Sequence, residues 1–303
     1  VVVRAGAWAG YGLLWMVLLS CIVKGVFFTY LVGRYTAVSG ELIGHRMVQM
    51  PGPRGWLLII ILLMEGFAAP MGWVAISKPC GDLFHHVLPL PDTFSEPAWE
   101  NLITTGFIAL ALGLSLSLSY EKLEKQQLLI CAILVTGTII GTLMVRPDFA
   151  QALVGTLSFG DFPEFPPWAP DDAVKHRMLT MATTFGYVGG SVMAYIVYAG
   201  WVGLHKWGLN SHRDIETIRS HAFTRKCIDY LPEDPESVSR LRQLCSPLRW
   251  DVSMGAVVLL VVTAAFMLSG AAVLMPLESR FEGWSLLTNQ AYAGAFVFGG
   301  LSR

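Results

Sequence analysis

Several stretches of this chain run for about 17 to 24 residues with almost no charge, and that property limits the fold more than any other. A helix rises about 1.5 Å per residue, so about 20 apolar residues cross a hydrocarbon layer roughly 30 Å thick. The stretches fall at 8–31, 56–76, 102–118, 128–144, 179–202 and 252–274, and a further one is expected to begin near Trp284. A soluble core needs no such runs. With 54% hydrophobic against 14% charged residues and a mean hydropathy of +0.54, the chain reads as an all-α polytopic membrane protein whose first partner is the lipid bilayer.

Tryptophans mark the depth of the spans. Trp8, Trp56, Trp99, Trp201, Trp250 and Trp284 lie near span ends, where an amphipathic ring prefers the headgroup layer. Arg34, Arg46 and Arg54 follow the first span, Lys122 and Lys125 the third, and a basic series from Lys206 to Arg249 the fifth. These three loops are expected on the cytoplasmic side, in a multi-pass protein of the plasma (inner) membrane. The opposite loops hold mainly acids and prolines, and 161–172 reads as an ordered, non-helical connection. Residues 203–251 form a polar connector of mixed charge within a single transmembrane domain spanning 1–303. The run Leu231-Pro-Glu-Asp-Pro-Glu236 divides it into helical pieces. The chain opens on Val1-Val2-Val3 and stops at Leu301-Ser302-Arg303, which reads as a fragment truncated at both ends.

Several function classes drop out. A net charge of −1 gives no basic field for nucleic acid. Cys21, Cys80, Cys131, Cys227 and Cys245 are scattered, with no CxxC pair. No Gly-x-Ser-x-Gly elbow, Walker loop or His-Glu-x-x-His helix is present, so neither an enzyme nor a resident cofactor is expected.

The fifth span is the most informative. Gly186, Gly189 and Gly190 each cost about 1 kcal/mol relative to alanine in a helix, which favours unwinding near mid-membrane. Lipid does not satisfy the freed backbone groups, so such a break needs protein or a wet cavity around it. Broken helices at the midplane offer bare carbonyls to cations and half-helix N-termini to anions. Here the backbone of Gly186, Tyr187, Gly189, Gly190 and Ser191, with the hydroxyls of Thr183, Thr184 and Ser191, is what such a break would offer a substrate. Close packing through small residues is the alternative, as Gly137-x-x-x-Gly141 also suggests. Two ionisable residues lie inside spans. Lys24 is expected to snorkel to the cytoplasmic interface in a structural role. Glu65, followed by Gly66 and Pro70, is either a proton or cation relay or a buried hydrogen-bonded acid. Cys80, Asp82, His85 and His86 gather metal-ligand types in an expected outside loop, but at a spacing that matches no closed zinc motif.

The segment 5–20, Ala-Gly-Ala-Trp-Ala-Gly-Tyr-Gly-Leu-Leu-Trp-Met-Val-Leu-Leu-Ser, resembles the start of the second transmembrane helix in the natural resistance-associated macrophage protein (Nramp) family of divalent-metal transporters. Gly33-Arg-Tyr-Thr-Ala-Val-Ser-Gly-Glu41 is similar to the segment that closes that helix. The resemblance implies a LeuT-type fold of inverted repeats, here partial, covering helices two to seven and the start of eight. It further implies alternating-access transport of a divalent cation (manganese, magnesium or iron), with the broken fifth span as the family's discontinuous sixth helix. The family's Asp-Pro-Gly-Asn motif would precede Val1. Its Met-Pro-His is replaced near Gly189-Gly190-Ser191, so the soft thioether is gone and a harder, all-oxygen site is expected. If Glu65 matches the first acid of the family's third helix, the later acids fall on Gly72 and Ala75, which puts proton coupling in doubt. A carrier of a small organic solute, or a non-transporting scaffold or sensor, remains as an alternative.

Overall fold

The computed structural model describes residues 2–87 and 95–277, and every regular element among them is helical. The span expected from Trp284 lies outside the described residues. Five helical stretches are long and apolar enough to cross a membrane: Leu14–Ser39, Pro97–Ser117, Tyr120–Val145, Arg177–Ser211 and Pro235–Leu274. Trp56–Gly72 adds a shorter apolar one.

The first span is not the single helix expected at 8–31. It consists of α1 (Val2–Ala9), α2 (Leu14–Ser20), a π-helical segment (Cys21–Phe28) and α3 (Thr29–Ser39). Gly10 adopts φ +56° and the Gly12 amide bonds back to the Ala9 carbonyl at 3.1 Å, which turns the chain between α1 and α2. At the other end the helix runs past Leu31 until Gly40, at φ +70°, closes it with a left-handed cap. The short α4 (Ile43–Val48) leads into α5 (Trp56–Val87).

At 32 residues, α5 is about 48 Å long, well beyond a bilayer core. It therefore takes in the segment expected as an outside loop: Cys80, Asp82, His85 and His86 stand on its last turns. Neither Pro70 nor Pro79 ends it, and α6 (Glu96–Ser117) packs alongside its C-terminal half. A Lys78–Glu100 ion pair and the Phe84 and Phe107 rings, 5.1 Å apart, join the two helices. Then come α7 (Tyr120–Val145) and α8 (Phe149–Leu157), the latter capped by Asp148, which accepts from the Ala150 and Gln151 amides at 3.0 Å each.

The core lies where α1, α2, α10 (Arg177–Tyr187) and α14 (Ser246–Ser269) meet, around Trp8, Leu13, Val17, Met181, Met267 and Leu274. Within this core α1 approaches the end of α14 and the π turn Gly270–Leu274 that follows it closely. A Cβ on Gly6 would stand 2.2 Å from the Met267 carbonyl oxygen, and one on Gly270 2.2 Å from that of Val3. The two backbones touch because both residues lack a side chain. The segment 159–170 is non-helical up to α9 (Asp171–Lys175) and closes one end of this core, with Phe165 and Ala169 buried and the Trp15 indole donating to the Asp161 carbonyl at 2.9 Å.

By contrast, α5 to α7 turn Met64, Phe67, Met71, Leu116, Leu128 and Ile133 outward, as lipid-facing helices do. Gly137 and Gly141 have nothing within 4 Å of a notional Cβ, so the close packing expected there has no partner among the described residues. The connector holds α12 (Ile215–Arg225) and α13 (Pro235–Leu244). The second starts with Pro235 and an Asp234 cap that accepts from Ser237 at 2.8 Å.

Candidate cation site at the helix break

The fifth span breaks where its glycines predict. Between α10, which ends at Tyr187, and α11 (Val192–Leu204), Val188 is extended and Gly189 has φ +100°. Ser191 caps α11, its hydroxyl accepting from the Ala194 amide at 3.4 Å. A positive φ of this kind is what glycine supplies without a steric penalty. The last carbonyls of α10 therefore lack helical partners, and together they form the negative pole of a half-helix.

Lys24 satisfies them. Its ammonium donates to the carbonyls of Phe185 and Gly186 at 2.8 Å each and to that of Val188 at 3.1 Å. It also lies 4.9 Å from the centre of the Phe185 ring. The buried Ser20 hydroxyl reaches the carbonyls of Phe185 and Val188 at 3.1 and 2.9 Å. Where the sequence led to an expectation of snorkelling, Lys24 instead turns to the carbonyls freed at the break, which offer charge-assisted bonds. The π-helical segment sets the register, and the Thr29 hydroxyl takes up the Lys24 carbonyl at 2.9 Å.

Glu65 comes to the other side of the break. The Ser191 hydroxyl donates to its Oε1 at 3.0 Å, which places a carboxylate at the positive end of α11. The Tyr195 hydroxyl is buried beside the break, 3.7 Å from where a Cβ on Gly189 would stand. The other expected residues take different roles. Thr183 and Thr184 bond back to the Thr180 carbonyl at 2.7 and 3.0 Å, so these hydroxyls serve their own helix. The Tyr187 side chain is exposed, and the three carbonyls on Lys24 belong to Phe185, Gly186 and Val188. Gly186 has open space beside it, so close helix packing does not explain that glycine.

Two clusters escaped the sequence. At the foot of the first span the fully buried Glu41 carboxylate takes Arg46 Nη2 at 2.9 Å and Nε at 3.2 Å, and also the Tyr35 hydroxyl. Tyr35 and Glu41 hold the Arg46 guanidinium still more firmly protonated than usual. Arg219 ties the connector to the same place, donating to the Gly40 carbonyl at 2.9 Å and to Asn210 at 3.0 Å. The Gly33–Glu41 similarity was the one sequence signal. In the connector, His221, Cys227 and Asp229 bring ligand atoms within 4.8 Å of one another, and the first two hold the Asp229 carboxyl below the usual range. Their spacing, His-x5-Cys-x-Asp, matches no familiar motif.

No curated protein sequence and no solved structure matches this chain. A family model described as natural resistance-associated macrophage protein-like matches residues 2–292, nearly the whole chain, on an all-helical, membrane-spanning fold. The chain belongs to the Nramp family, whose members are divalent-metal transporters rather than enzymes.

Proposed function

We propose that the protein moves a divalent cation across the membrane by alternating access, taking it at the break between α10 and α11. The observation that carries this reading is the convergence of three carbonyl oxygens on one cationic atom, the Lys24 ammonium. That ammonium stands in for the cargo: same sign, same oxygens, no other ligand type. Glu65 supplies a carboxylate through Ser191, and the buried Tyr195 hydroxyl supplies a further oxygen. An all-oxygen set suits manganese, magnesium or iron(II) better than thiophilic ions. The cargo must displace the ammonium to reach the carbonyls, and the non-helical joint at 188–191 lets the two half-helices reorient as it does so.

Glu65 is the acid that α5 brings to the break. If Glu65 matches the first acid of the family's third helix, the later acids fall on Gly72 and Ala75, which carry no titratable group, so transport is proposed to run without obligatory proton coupling. Lys24 also favours a second reading, a scaffold or sensor in which the break stays filled. The test is uptake of manganese, magnesium and cadmium into proteoliposomes by the full-length protein, with and without a pH gradient, beside Gly189→Leu. Leucine there meets a left-handed backbone and the Lys24 stem, 3.1 Å from its Cβ. Saturable uptake abolished by Gly189→Leu supports the carrier. No uptake of any ion by folded, inserted protein supports the scaffold.

A further inference from the structure

Far from the helix break, the turn after α12 gathers three donor atoms of different chemistry. His221 stands near the end of α12, which closes on Lys226 in the left-handed region (φ +56°). That residue folds the chain back, so that Cys227 and Asp229 face the histidine of the preceding helix. The imidazole nitrogen, the thiol sulfur and a carboxylate oxygen lie within 4.8 Å of one another, with His221 Nε2 2.9 Å from Asp229 Oδ1.

The turn is held from outside. Arg46 Nη1 donates to the Lys226 carbonyl at 3.1 Å, and the Gln49 amide to that of Phe223 at 2.6 Å. The Tyr230 hydroxyl donates to the Ser39 carbonyl at 2.6 Å, and its ring meets the His221 ring edge-on at 6.1 Å. An ordinary His–Asp surface pair has no need of a thiol or of this anchoring.

We infer that His221, Cys227 and Asp229 form a second metal site, independent of the transport reading, for a borderline-soft divalent cation of the zinc class. Imidazole nitrogen, thiolate and carboxylate oxygen are the three donor types zinc accepts, at about 2.0 to 2.3 Å. On one ion the three atoms would stand roughly 3.3 to 3.8 Å apart, so the His221–Asp229 pair, now at 2.9 Å, widens to admit the metal while any wider spacing closes. On binding, Cys227 releases its thiol proton to solvent, His221 coordinates as the neutral imidazole, and Asp229 exchanges its hydrogen bond for a bond to the metal. Three protein ligands leave a fourth position to water, so the ion is exchangeable rather than structural. The thiolate selects a softer ion than the oxygens at the break. Arg46 joins the turn to Glu41, so occupancy reaches the foot of the first span through two hydrogen-bonded steps.

Cobalt(II) titration of the full-length protein in detergent tests this. The expected result is a thiolate-to-cobalt charge-transfer band that saturates at one equivalent, is displaced by zinc, persists in Cys245→Ser and disappears in Cys227→Ser. Loss of an outer-shell partner alone weakens metal binding about 10- to 100-fold, so Asp229→Asn should weaken zinc by at least about tenfold. Cys227 sits in a partly exposed turn, and unchanged elution on size exclusion checks that its serine variant folds. Absence of the band from the wild-type protein, its survival in Cys227→Ser, or unchanged zinc affinity in Asp229→Asn overturns the inference.

Discussion

Replacing Lys24 with methionine keeps the length of the side chain and removes the ammonium from the three carbonyls of the break. A hydrogen bond from a charged donor contributes about 1.5 to 3 kcal/mol. The three here share one partly exposed ammonium and do not add, so the whole contact is worth about as much as one strong bond. An incoming cation has to overcome that amount before it binds. At about 1.4 kcal/mol per factor of ten, the methionine variant should bind manganese about 10- to 150-fold more tightly than the wild type. Lys24→Arg, which keeps the charge, should stay weak. Equilibrium manganese binding to purified full-length protein reads this directly, with circular dichroism to establish that each variant is folded. Unchanged or weaker affinity in folded Lys24→Met would mean that these carbonyls are not where a cation binds.

Glu65→Gln retains an oxygen for the Ser191 hydroxyl and loses the charge, so the fold should persist while manganese affinity falls by about tenfold or more, the size expected for losing a charged partner; equal affinity in binding assays would leave Glu65 as a purely structural acid. Arg46→Met strands the fully buried Glu41 carboxylate, and an uncompensated buried charge costs about 3 to 5 kcal/mol. The midpoint of thermal unfolding should drop clearly, and a shift no larger than that of a surface substitution would show that Tyr35 suffices to hold Glu41.

The spans and the helix break were legible because both depend on local sequence. Apolar length specifies a crossing, and three glycines within five residues weaken a helix whatever surrounds it. Glu65 and Ser191 were each identifiable, but their contact joins residues 126 positions apart, which no local pattern encodes. Lys24 was misjudged for a related reason. Snorkelling is the default for an isolated helix, whereas its true partners lie on another helix, about 160 residues further along, and a π segment turns it towards them. The extension of α5 past Ile76 was hidden because Lys78 and Pro79 look like a loop in sequence, whereas in the fold they are helical and pack alongside α6. The Glu41 and His221 clusters depend likewise on how the connector folds back onto the foot of the first span.

The π segment at Cys21–Phe28 bears on how such a protein can change over evolutionary time. A π turn accommodates an extra residue within a helix, and each α-helical residue turns the chain by about 100°. Deleting one codon there, with relaxation to a regular helix, would swing the Lys24 position about that far from the break without altering α10 or α11. The carbonyls of the break and the amine that fills them are thus encoded in separate parts of the gene. A lineage can open or close the site by a single in-frame insertion or deletion, without any substitution among the residues that line it.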